Sequence, residues 1–272
     1  MGETEHVQLM AGPLLPAQRR QHIIEFLHRH GAVTLQQMAS ALRVSLSTLR
    51  RDLDALAEEG LVDRTHGGAL LRHQEYSTFE PEFAAALELS PLEKQRIGQV
   101  AAEALLPGQS VIFDSGSTVR EAAIAVAARN IEILAVTNDI EIAQILGSSR
   151  AMRVHVFGGQ LRSGSHTLIG DDVLAGASRI RADVLLFGAH AVTEGVVSEA
   201  SSEVAGVKRA LMRAATAKRL LVDSSKFRPR VFMTVCEVAE LDEVITDEAA
   251  PRDEVERIRG AGAKLTIARR SH

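Results

Sequence analysis

The chain has 272 residues but only one cysteine, one tyrosine and no tryptophan, and aromatic residues make up 3% of it. A single thiol, Cys236, rules out an internal disulfide and leaves no partner for a thiolate metal site or a redox pair. Cys236 is therefore expected to be a small, buried apolar residue. The shortage of rings also argues against single-stranded nucleic acid as a ligand, because base stacking needs several aromatics and Phe26 is the only one between residues 16 and 73.

No stretch approaches the ~20 apolar residues of a membrane helix. The first residues carry Glu3 and Glu5 where a signal peptide would have a basic segment, so a cytoplasmic protein with no membrane partner is expected. A large positive excess is missing too. The net charge is −4, so contact with nucleic acid has to be concentrated in one region. The ten histidines are scattered, with no pair at zinc-ligand spacing on an expected helix, and neither a metal nor a cofactor is expected.

What is present is ordinary globular composition, 46% hydrophobic and 24% charged, in a chain long enough for one small and one larger domain. The pattern divides into a tail (1–15), a small helical domain that ends in two short strands (16–73), a linker (74–92) and a larger α/β domain (93–272). From Ala17 a helical stripe of Ile23, Ile24, Phe26 and Leu27 runs to His30-Gly31. Thr34 then caps a second helix, Leu35 to Leu42. After the turn at Arg43-Val44, Ser45 is placed to accept the N–H of Thr48 and start a third helix that runs to about Glu59.

On the third helix Leu46, Leu49, Leu53 and Leu56 recur at helical spacing and define a buried face. Ser47 and Arg51 then point away from the core, with Thr48 and Arg50 on the flanks. Hydroxyls and a guanidinium near a helix start suit reading of the DNA major groove, so Thr34, Ser45, Ser47, Thr48, Arg50 and Arg51 are candidate contacts, with Arg51 on a guanine edge and Arg50 on phosphate. Leu61 to Leu71 reads as two short strands around Gly67-Gly68, a wing that carries Arg64 and His66. Residues 16–73 hold eight Arg against six Asp or Glu, a modest net of plus 2, so the order of parts carries the argument and not the charge.

Residues 72–92 lose periodicity, contain Pro81 and Pro91, and offer one short helix near Phe83–Leu89. Ser90-Pro91-Leu92-Glu93 reads as a capping box opening a helix to about Leu105. Seven apolar runs then alternate with helical segments: 111–113, 133–136, 154–157, 184–187, 220–222, 244–245 and 265–267. Continuous apolar strands separated by helices imply a mainly parallel sheet covered on both faces.

Ligands of open α/β sheets bind outside the carboxyl ends of the strands. The residues there are Asp114-Ser115-Gly116-Ser117-Thr118, Thr137-Asn138, Gly158-Gly159, Gly188-Ala189-His190 and Asp223-Ser224-Ser225-Lys226. Ser115 to Thr118 precede a helix, so their N–H groups and hydroxyls are suited to cradle a phosphate. Lys226 would supply a matching charge, and Lys208 or Arg162 a second. Asp114 would repel phosphate and is expected to meet sugar hydroxyls.

Val44 to Leu53, followed by Leu61 to Ala69, closely resembles the signature of the DeoR family of bacterial transcriptional regulators, mostly repressors of sugar catabolism. In the second half, Glu93-Lys94, Asp114 to Thr118, Thr137-Asn138, Gly158-Gly159, Gly170 and Asp223 to Phe227 resemble the family's C-terminal domain, which is similar in fold to ribose-5-phosphate isomerase and the coenzyme A transferases. That resemblance implies double-stranded operator DNA and a phosphorylated sugar or polyol as partners, and a homodimer or homotetramer. His190 departs from it, standing where many relatives carry an acidic residue or glycine. Two alternatives stay open: an isomerase or coenzyme A transferase-like enzyme with an accessory DNA-binding domain, and an oligomerisation scaffold that takes no ligand. No catalytic residue is assigned, since the Gly188 to Ala191 loop offers no carboxylate to move a proton.

Overall fold

The computed structural model describes residues 16–30, 33–59, 61–65, 68–71 and 90–269. The chain divides into two compact units, Met1–Glu75 and Tyr76–His272. The first contains α1 (Pro16–His30), β1 (Val33–Thr34), α2 (Leu35–Leu42), α3 (Leu46–Glu58), β2 (Val62–Thr65) and β3 (Gly68–Leu71). Ile23, Ile24, Leu27, Met38, Leu49, Leu53 and Leu56 fill its core, and each such side chain contributes about 1.5–3 kcal/mol by leaving water.

The wing is a three-stranded antiparallel sheet, not the expected two-stranded one, because Val33 and Thr34 pair with Ala69 and Gly68. Leu46 corrects the expected buried face: it is 38% exposed. The first turn of α3, with Ser45 and Ser47 also exposed, projects beyond the layer that Leu49 and Leu53 fill. Asp52 completes the buried face instead, and its carboxylate accepts from Nε and Nη2 of Arg19, tying α1 to α3.

The second unit begins with α4 (Pro91–Glu103). Ser90 does not form the expected capping box; its backbone is left-handed (φ 47°), its side chain makes no cap bond, and Glu93 pairs with Arg96 at 2.9 Å. The expected helix at 83–89 and most of the linker lie outside the described residues.

All seven expected strands are present: β4 (Ser110–Phe113), β5 (Ile133–Thr137), β6 (Met152–Val156), β9 (Ala182–Phe187), β12 (Ala215–Leu221), β14 (Glu243–Asp247) and β15 (Lys264–Ala268). They form one parallel sheet in the order β15-β14-β12-β9-β4-β5-β6. Two-residue alternation sends Val111 and Phe113 to one face and Ile112 to the other, and likewise Val184 and Leu186 against Leu185 and Phe187. On the Phe113 face pack α4, α5 (Ser117–Arg129) and α6 (Ile140–Gly147). On the Ile112 face pack α7 (Asp171–Ser178), α8 (Ser202–Arg213) and α9 (Arg252–Gly260).

Two smaller sheets were not expected. β7 (Gln160–Leu161) and β8 (Leu168–Ile169) form a hairpin, and β10 (Ala191–Thr193), β11 (Val196–Glu199) and β13 (Met233–Glu237) an antiparallel sheet. The turn of the latter, Glu194-Gly195, has positive φ at both positions, 51° and 77°, the conformation that matches the twist of a tight hairpin. Cys236 is buried in β13, and burial pushes its thiol up to about 12, as expected of an inert core residue.

From β4 the chain runs outward through β5 to β6, then returns to add β9 on β4's other side. The order therefore reverses between β4 and β9, which leaves a crevice at their carboxyl ends.

Candidate functional site

In the first unit the helix start carries the chemistry. Ser45 Oγ accepts the Thr48 N–H at 3.2 Å, and lies 3.0 Å from Ser47 Oγ and 2.8 Å from Thr48 Oγ1. One side of the first turn is thus a cluster of hydroxyls, and the exposed Arg50 and Arg51 follow on the next. Thr34 is occupied locally: it forms a capping box with Gln37 at the start of α2. Arg64 is a residue of β2 whose backbone pairs with Ala69, and His66 lies outside the described residues.

In the second unit the β4–β9 crevice holds a cavity of about 310 Å³. Of the residues named from sequence, it is lined by Ser115 to Thr118, Arg162, Gly188 to His190, Lys208 and Lys226. Gly116 precedes α5 with φ 121°, which few side chains tolerate, so the backbone turns tightly into the helix.

The other proposed residues do not line it, and most have a structural task. Asp114 is 1% exposed and accepts from Lys208, so it neutralises a lysine instead of meeting a sugar. Thr137 Oγ1 accepts the Asp139 N–H, and Asn138 holds β8 through two bonds: its Nδ2 donates to Leu168 O at 3.2 Å, and its own carbonyl accepts the Leu168 N–H at 2.7 Å. Gly158 is solvent-exposed and Gly159 packs against β8 and α7. Asp223 accepts the Ser225 N–H at 3.0 Å and caps the short 3₁₀ turn, Ser224–Lys226, that carries Lys226.

The two lysines differ electrically. Burial works against the charge of Lys208, but Asp114 first and Glu199 second outweigh it and hold its pKa above the ordinary value. Its Nζ also donates to Gly188 O at 3.0 Å, and lies 3.4 Å from Glu199. Lys208 therefore braces β4, β9 and β11 while also lining the cavity. Lys226 is partly buried, and its pKa is pushed down to about 8, chiefly by desolvation and next by Arg228, with Lys94 adding to the effect. An arriving anion would restore the charge that burial disfavours.

Arg162, offered from sequence as a second charge, lines the cavity, but sequence reading missed the rest of its segment, Ser163–Thr167, which lines the cavity except for His166. It is the loop of the β7–β8 hairpin, held by the bonds from Asn138 and by His166 Nδ1 at 3.0 Å from Glu141 Oε2, which Arg120 also engages. It missed Glu199 as well, a cavity-lining carboxylate only 4% exposed. The Glu194-Gly195 turn is the signal that could have placed Glu199 on a hairpin. Among the described residues no group of three His, Cys, Asp or Glu is placed to hold a metal ion, and no helix is long and apolar enough to cross a membrane.

A winged helix-turn-helix followed by an α/β unit with a polar crevice defines a ligand-responsive DNA-binding regulator. Family comparison agrees: residues 19–75 match the DeoR-like helix-turn-helix domain, and residues 90–248 the DeoR C terminal sensor domain. The chain belongs to the DeoR family of transcriptional regulators. It is 31% identical over 236 residues to the glycerol-3-phosphate regulon repressor of Escherichia coli (strain K12), covering 86% of this chain and 92% of that one. It is 32% identical to the transcriptional repressor GlcR of Bacillus subtilis (strain 168), covering 83% and 86%. With the putative aga operon transcriptional repressor of Escherichia coli O157:H7 it shares 29% identity over 92% and 93%. Ribose 5-phosphate isomerase A of Methanocaldococcus jannaschii overlaps 49% of this chain and 53% of its own at 14% identity and a TM-score of 0.38, a likeness too partial to add to the fold described above.

Proposed function

We propose that this chain is a cytoplasmic repressor of carbohydrate-use genes, released from its operator when a phosphorylated sugar or polyol enters the cavity between β4 and β9. The observation that carries this reading is the meeting of Ser115 to Thr118, at the start of α5, with the partly buried Lys226. N–H groups at a helix start and a lysine held below its ordinary pKa both gain from a dianionic phosphate. The relative named for the glycerol-3-phosphate regulon supports a ligand of that class.

In this reading Ser47, Thr48 and Arg51 face base edges, while Arg50, Arg64 and His66 hold phosphates. Operators of helix-turn-helix proteins usually consist of paired half-sites, which supports a homodimer or homotetramer as the working form. Residues 16–73 form the DNA-reading domain, 74–92 the linker and 93–272 the sensor. A coupling of about 1–3 kcal/mol between effector and operator is the usual scale.

Glu199 favours one second reading, an isomerase, because it brings a carboxylate into the cavity. Lys208 engages that carboxylate, so the non-catalytic reading stands first. A thermal-shift screen of phosphorylated sugars and polyols tests the proposal, since a ligand of the native state raises its melting temperature. Failure of every phosphorylated compound, with stabilisation by unphosphorylated ones, overturns it; turnover of the stabilising compound puts the isomerase first.

A further inference from the structure

A second cavity, about 270 Å³, lies in the groove between α7 and α8, beside the starts of β9 and β12. Its walls are small, with Ala177, Gly206 and Ala210 among them, and three arginines edge it: Arg181, Arg209 and Arg213. No Asp or Glu lines it. Arg181 donates to the carbonyls of Ile180 and Arg213, and Arg209 to that of Thr234, whereas Arg213 makes no side-chain hydrogen bond among the described residues. Each guanidinium has five N–H donors, so most of them remain available.

The charge balance decides between a structural and a binding role. Both helices end here, at Ser178 and Arg213, and a helix C-terminus carries about half a negative charge, so the two ends offset roughly one of the three positive charges. About two positive charges stay uncompensated around a concave space of small-molecule size. Capping of helix ends accounts for one arginine, not for three.

We propose that this groove is a second anion site, one that takes a small molecule bearing a phosphate dianion. Guanidinium forks favour phosphate over a single carboxylate, because their paired N–H groups match its oxygens. The site is independent of the strand-end cavity, although α8 serves both: Val204 and Lys208 line the first, and Arg209 and Arg213 the second.

Isothermal titration of the full-length protein with inorganic pyrophosphate tests it, in a Lys226→Ala background that weakens the first cavity. One saturable site is expected to remain. Arg213→Gln should weaken it about tenfold, the scale of one lost charge-assisted bond, with little change in the thermal melt, since Arg213 is exposed and contributes only to the helix-end charge balance. Arg213→Lys should fall between the two. Absence of a saturable site in the Lys226→Ala protein overturns the proposal, as does a site unchanged by both Arg213→Gln and Arg181→Gln.

Discussion

Lys208 Nζ donates to Oδ2 of Asp114, a residue 94 positions earlier in the chain, and both side chains are almost fully buried. The pair joins α8 to the end of β4 at the point where the strand order reverses. Breaking a buried pair by removing one partner typically costs about 3–5 kcal/mol, because the remaining charge is left unpaired. Lys208→Met should therefore lower the urea midpoint sharply, and Asp114→Asn added to it should recover part of the loss. A Lys208→Met protein as stable as wild type would mean that the pair does not hold the crevice together.

If Lys226 meets the ligand's phosphate as proposed, anion binding should depend on pH. With its pKa lowered from 10.5 to about 8, it is charged in folded and unfolded chains alike below pH 8. Between those two values only the unfolded chain keeps the proton, so this group makes stability rise with pH through that window. Affinity for a phosphorylated ligand should run the other way, falling as pH passes 8 and the lysine loses its charge. Titrations from pH 7 to 9.5 should show that fall in wild type, and a flat profile in Lys226→Met.

Two arginines of the first unit should separate function from stability. Arg51 is exposed on α3, and its replacement by Ala should cost about 1–3 kcal/mol at the cognate operator if it reads a base, with the melt unchanged. Arg19 holds the buried Asp52, so Arg19→Ala should lower the melting temperature while operator affinity of the folded fraction persists. Equal loss of Arg51→Ala on random DNA would reassign it to a phosphate.

Gly159 separates packing from ligand contact. A Cβ there would stand 2.7 Å from Ile169 O and 2.8 Å from Val173 Cγ2, on a backbone with φ 148°. Gly159→Ala should destabilise the β7–β8 hairpin and speed amide exchange at Leu168 and Ile169. Ligand affinity should fall only as far as the loop Arg162–Thr167 is displaced. Weaker binding with unchanged exchange would place Gly159 in contact with the ligand.

The local rules of the chain were legible one residue at a time. Ser45 caps α3 as its hydroxyl predicts, and the seven apolar runs became the seven parallel strands, because a strand buried on both faces has to be apolar throughout. Ser90 shows the limit of such rules: the residues for a capping box are present, but a left-handed backbone turns the side chain away from them. Leu46 fails for a related reason, since helical spacing gives a face but not how far along the helix the core extends.

The sequence by itself determined the order of the main helices and of the seven parallel strands, the capped polar start of α3 and the polar strand ends, all of which follow from spacing within some ten residues. Only the tertiary structure decided which polar ends face the cavity. Thr137, Asn138, Gly159 and Asp223 look like Ser115 to Thr118 along the chain, yet they brace, cap or pack. The pairing of Lys208 with Asp114, the entry of Glu199 and the return of Arg162–Thr167 over the crevice depend on contacts between distant segments. Local periodicity carries no record of those contacts, because strand order and hairpin placement are settled by how whole layers pack.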